Sequence, residues 1–152
     1  LPSKEISRAI NAFGEGFNTA VFEIIKTSKT LDKNGALFNQ CSSRILGSFK
    51  MTRSGIFHKK LYETLSECWR VIGKPVLDIK QQIQKTDKSR DRYLLEISEI
   101  EREKVVSEIW QITKALLPIT MGKYSYGLVG ASKILFSVLP EIVLPVDNVQ
   151  WK

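Results

Sequence analysis

Histidine and cysteine are almost missing from this chain, which has one His, His58, and two Cys, Cys41 and Cys68, in 152 residues. A four-cysteine iron–sulfur cluster is thereby excluded within it. With no His or Cys group at ligand spacing, the sequence also argues against a structural zinc site. The two cysteines lie far apart in apolar periodic settings, so buried free thiols are expected rather than a bridge. Long apolar runs are missing as well. Stretches such as Ile142 to Leu144 fall far short of the roughly 20 residues that a membrane-spanning helix needs. The opening LPSKEISRAI is amphipathic and lacks the continuous apolar core of a signal peptide, which makes cytoplasmic residence the expectation. There is no Walker-type loop, nucleophile-elbow serine or zincin His pair, and no cofactor is implied.

Acidic residues are the next shortage, and a local one. None occurs between Asp32 and Glu63, whereas Lys33, Arg44, Lys50, Arg53, Lys59 and Lys60 all fall there, interleaved with Phe49, Phe57 and His58. The net charge is +7. A basic stripe of this kind attracts polyanions, because each phosphate it neutralises releases counterions. DNA or another nucleic acid is the partner expected, and a solvated cationic surface is the alternative. SFKMTRS, between Gly47 and Gly55, reads as the best candidate for a mobile basic loop.

Strand runs bounded by hairpin signals are absent, and helical periodicity is widespread. Ile6, Ile10, Phe13, Phe17, Val21 and Ile24 predict one amphipathic helix or two, interrupted at Gly14-Glu15-Gly16. Asp32-Lys33-Asn34-Gly35 carries turn chemistry. Leu37, Phe38, Cys41, Ile45 and Leu46 outline a short helix ending near Gly47. Ser54 is placed to cap a helix with Phe57, Leu61, Leu65, Cys68, Trp69 and Ile72 on one face, and Gly73 and Pro75 are expected to close it. A short helix from about Pro75 to Gln84 follows. The longest pattern runs from about Asp91 to Leu117, with Pro118 as its end. The expectation is an all-α protein: a single orthogonal helical bundle over residues 1–152, or a fragment of a longer chain.

The carboxyl-terminal stretch, KYSYGLVGASKILFSVLPEIVLPVDNVQW from Lys123 to Trp151, is the only one suggesting chemistry. Gly127 and Gly130 permit a turn that opens backbone amides ahead of a helix, an arrangement suited to anions. A helix from Ala131 to Leu139 is predicted, with Lys133 near that turn. Pro145 then holds the chain extended, and Asp147 is placed to cap a further helix.

Glycine turn, Lys-bearing helix and Pro145-Val146-Asp147 step together resemble helix-hairpin-helix DNA glycosylases over about the last fifth of the chain. The resemblance implies that Gly127 and Gly130 seat a DNA phosphate, with Lys123 nearby. It further implies Lys133 as a nucleophile toward the sugar carbon and Asp147 as the assisting carboxylate, in base excision of glycosylase or lyase type. This chain has two residues between the glycines where the family usually has one, and its Lys lies one place later. Without the resemblance, the glycines join two helices, Lys133 is solvated and Asp147 is a cap. A second reading is a noncatalytic nucleic-acid-binding domain that uses the Gly127 to Gly130 hairpin together with the basic stripe of Arg44, Lys50, Arg53, Lys59 and Lys60. The alternative to both is a protein-protein interaction or assembly module of undetermined oligomeric state.

Overall fold

The computed structural model describes residues 19, 21, 23, 24, 26, 33–53, 55–85, 93–121 and 127–146. Of these described residues 83% are helical and none is in a strand, so the all-α expectation holds. Six helices are delimited: α1 (Ala36–Ser48), α2 (Ile56–Lys59), α3 (Leu61–Lys85), α4 (Tyr93–Glu96), α5 (Glu99–Thr120) and α6 (Gly127–Val138), with a 3-10 turn at Met51–Arg53. Thr19, Val21, Glu23, Ile24 and Lys26 are helical too. The glycine pair at 14 and 16 lies outside the described residues.

The helices close a ring. α3 packs on α1 and α5, and α6 packs on α1 and α5 from the other side. Phe38, Leu65, Ile72, Val76, Leu116, Ile134 and Leu135 meet in the core between them. Ile24 joins Cys41, Ile45 and Phe136 in a second cluster, which covers α6 from a further direction. Every residue from Gly130 to Leu139 is buried as a result. α6 is therefore a central rod, whereas the spacing of its apolar residues had suggested a one-sided helix.

From α2 to α5, four helix boundaries differ from those expected. Gly73 and Pro75 do not end a helix, because α3 runs through both. A proline inside a helix costs about 3 kcal/mol. Ile72, Val76, Ile79 and Ile83 are buried on the same helix, and at about 1.5–3 kcal/mol for each such side chain their burial outweighs that cost. Gly73 serves a neighbour: a Cβ there would stand 2.9 Å from Cε2 of Trp69, and one on Gly35 only 2.3 Å from its Cδ1. The indole is thus slotted between two glycines, stacked on Phe38 at 4.9 Å, with Nε1 donating to the Lys33 carbonyl at 3.2 Å.

The expected helix over 91–117 is broken at Ile97 and Ser98. Ser98 accepts from the Glu101 amide, and Glu101 in turn accepts from the Ser98 amide, a capping box that starts α5 afresh. At the other end, α5 continues past Pro118 to Thr120. There Thr120 Oγ1 donates to the carbonyls of Leu116 and Gly127, both at 3.1 Å, tying the end of α5 to the start of α6. The single helix expected over 57–72 is also interrupted, since Lys60 has φ −130° between α2 and α3. Ser54 lies outside the described residues.

Candidate nucleic-acid interface

The connector from α1 to α3 carries most of the basic residues singled out in the sequence. Phe49 and Lys50 terminate α1, their amides donating to the carbonyls of Ile45 (3.0 Å) and Gly47 (2.9 Å). Lys50 has φ 59°, in the left-handed region where a side chain costs roughly 1–2 kcal/mol and glycine is the usual occupant. The 3-10 turn follows, with Met51 buried in the core. Gly55, also at positive φ, leads into α2, whose Phe57 is buried as well. His58 Nδ1 lies 2.9 Å from the Thr52 carbonyl and joins the two halves.

With Met51 and Phe57 as inward anchors, the charged residues face out. Lys50, Arg53, Lys59 and Lys60 are all exposed. Lys60 is 3.6 Å from Glu63, an exposed contact of little energetic weight. Arg44, on α1, is exposed but paired with Glu23, so part of its charge is already met. Tyr62 stands beside this group and is 65% exposed. The sequence did offer a signal for it, since Tyr62 falls off the apolar stripe of Leu61, Leu65, Cys68 and Ile72 and follows two lysines.

The glycine turn takes another form than expected. α6 begins at Gly127, not at Ala131, so Gly127 and Gly130 lie within the helix, at its start, and do not form a turn ahead of it. Gly127 has φ 34°, and both glycines are buried. Lys133 is neither solvated nor at the mouth of a turn. It is 3% exposed, with its Nζ 4.1 Å above the centre of the Phe49 ring, a geometry in which a desolvated ammonium gains up to about 2 kcal/mol. Asp147 and Lys123 lie outside the described residues, and with them the expected pairing of Lys133 and Asp147.

A second buried cation lies elsewhere, on a residue the sequence gave little reason to notice. Lys80 of α3 is within 3.1 Å of both carboxylate oxygens of Glu141, in the turn after α6, and the two side chains are 4% and 10% exposed. Cys41 feels the Lys80 charge. Burial pushes its thiol up to about 11, against the lowering influence of that ammonium. Ser42 and Ser137 share a buried hydrogen bond of 2.7 Å between α1 and α6. Ser132 Oγ accepts from the Val146 amide at 3.0 Å, which holds the extended segment leading toward residue 147. These three polar contacts each join separate parts of the fold.

No family model matches this chain, and no curated protein or solved structure matches it either.

Proposed function

We propose that the chain is a nucleic-acid-binding helical domain that grips the phosphate backbone through the connector between α1 and α3. The observation carrying this reading is the exposure of Lys50, Arg53, Lys59 and Lys60 on one short, core-anchored segment. No acidic residue occurs from Lys33 to Tyr62. An anchored backbone lets the cations meet a polyanion without first ordering the segment, so less affinity is lost to entropy. Lys50 supports the same reading: a lysine held where glycine would be less strained is what a binding surface, and not a stability requirement, would select. Tyr62 supplies a ring on which an unpaired base could stack beside the cations.

The proposal places contact with phosphates first and leaves base excision as a further step, one that would require Lys133 to leave its place over Phe49 and reach a nucleotide. Fluorescence anisotropy with labelled single-stranded and duplex oligonucleotides is the test. Binding should weaken with salt along a log–log slope of about −0.9 per duplex phosphate contacted, and so roughly −3 to −4 for four cations. Replacing Lys50, Arg53, Lys59 and Lys60 together by Gln should flatten that slope. Absence of binding at low salt, or an unchanged slope in the quadruple variant, would reject this interface.

A further inference from the structure

The outward face of α5 carries several large apolar side chains among its charged and polar ones. Ile100, Val106, Trp110 and Met121 are 81%, 56%, 51% and 58% exposed along or just past it. Buried Val105, Ile112 and Leu116 occupy the opposite side, packed on the core. Two charges flank the exposed indole, Glu103 toward the amino end and Lys114 toward the carboxyl end. Both are exposed, and neither has an ion-pair partner among the described residues. At about 100° per residue, Glu103, Trp110 and Lys114 fall within about 40° of one another on the helix surface, with Ser107 and Val106 to either side.

This order of groups specifies its own complement. We infer that the face is covered by a second copy of the chain, with the two α5 helices antiparallel about a two-fold axis between residues 108 and 109. In that register Glu103 of each copy faces Lys114 of the other, and Trp110 lies over the small Ser107 beside Val106. A two-fold contact is self-complementary, so both ion pairs and both indole contacts form at once. The parallel arrangement sets Glu103 against Glu103 and Lys114 against Lys114, which discriminates against it. Opposed helix dipoles favour the same choice.

Sedimentation equilibrium from about 1 to about 200 µM covers the range in which a one-helix interface dissociates. The wild-type chain should dimerise within it. Glu103→Lys and Lys114→Glu should each weaken the dimer on the order of tenfold, since both cross-pairs turn repulsive. An equimolar mixture of the two variants should recover it, because a heterodimer restores both attractions. Loss of a merely structural contact could not be repaired by mixing. Should either reversal lower the helical circular dichroism, Trp110→Gln leaves the charges in place and must abolish the dimer by itself. A wild-type monomer throughout, a dimer indifferent to these substitutions, or a mixture that fails to recover would each overturn the inference.

Discussion

Lys80 and Glu141, 61 positions apart in the chain, form a bidentate ion pair with Nζ 3.1 Å from each carboxylate oxygen and almost no exposure to water. The pair pins α3 to the turn that follows the central helix. Its net contribution to stability is a balance of two large terms, because desolvating both charges offsets much of their attraction.

That balance predicts an asymmetry between single and double substitution. Glu141→Gln should destabilise the fold by about 3–5 kcal/mol, since the Lys80 ammonium then faces a neutral amide in a buried setting. Replacing both residues by apolar ones of similar volume, Lys80→Met with Glu141→Leu, should bring stability back to within about 1 kcal/mol of wild type or above it. Urea unfolding of the wild type, Glu141→Gln and the double variant measures this. A double variant as unstable as the single one would show that the pair stabilises more than its desolvation costs.

The two thiols predict a stability that falls in alkali. Burial, reinforced by the Glu67 carboxylate and partly opposed by a backbone hydrogen bond, raises Cys68 to about 12, and burial raises Cys41 to about 11. An unfolded thiol ionises near 8.5. Folded values above unfolded ones mean that the full contribution is present below about pH 8.5 and is lost as pH climbs toward the folded values, by about 2 kcal/mol for each thiol at pH 10. Tyr93 pushes the same way at higher pH, raised by burial and then by Glu101 and Glu108. Thermal melts from pH 7 to 10 should show the decline, and Cys41→Ala with Cys68→Ala should flatten it. Neither native thiol should react with a thiol reagent at neutral pH until the chain unfolds.

The indole slot predicts that two small additions are costly. Gly73→Ala should gain about 1 kcal/mol in helix propensity, yet its Cβ meets the Trp69 ring at 2.9 Å, and overpacking of this kind costs typically 1–3 kcal/mol. A net loss of up to about 2 kcal/mol is expected, reduced when Trp69→Phe removes the crowded ring. Gly35→Ala should cost more, because its Cβ would fall at 2.3 Å from the ring and its φ of 74° is itself unfavourable to alanine. Tryptophan fluorescence during chemical unfolding separates these cases.

Lys50 predicts opposed effects on stability and binding. Lys50→Gly should raise stability by about 1 kcal/mol by relieving the left-handed strain, while weakening oligonucleotide binding and lowering the salt slope by about one phosphate. A glycine variant that gained stability and kept its full slope would remove Lys50 from the interface.

Helical character and most of the inward faces were legible in the sequence, because apolar spacing reports on one face of a helix whichever partner it finds. Proline and glycine misled at Gly73 and Pro75, where four buried aliphatic side chains on α3 outweigh a local preference that a sequence displays and a packed core overrides. The Ser98–Glu101 capping box, by contrast, is a local signal in plain view that the continuous apolar seam from Tyr93 to Leu116 disguised. The basic connector was readable as charge, but its anchoring by Met51 and Phe57 was not. Lys133 and Lys80 were illegible for one shared reason: nothing local distinguishes a lysine that will be enclosed from one that will be solvated. Their burial depends on Phe49 and Glu141, brought in from distant segments.

A helix buried from Gly130 to its end has a consequence for how the chain is made. α6 comes late in the chain, while the α1 and α5 surfaces that receive it are synthesised before it. Until it leaves the ribosome, those surfaces border an unfilled slot. Early termination or a slow codon ahead of Gly127 would then leave sticky, half-built molecules of the kind that chaperones retain.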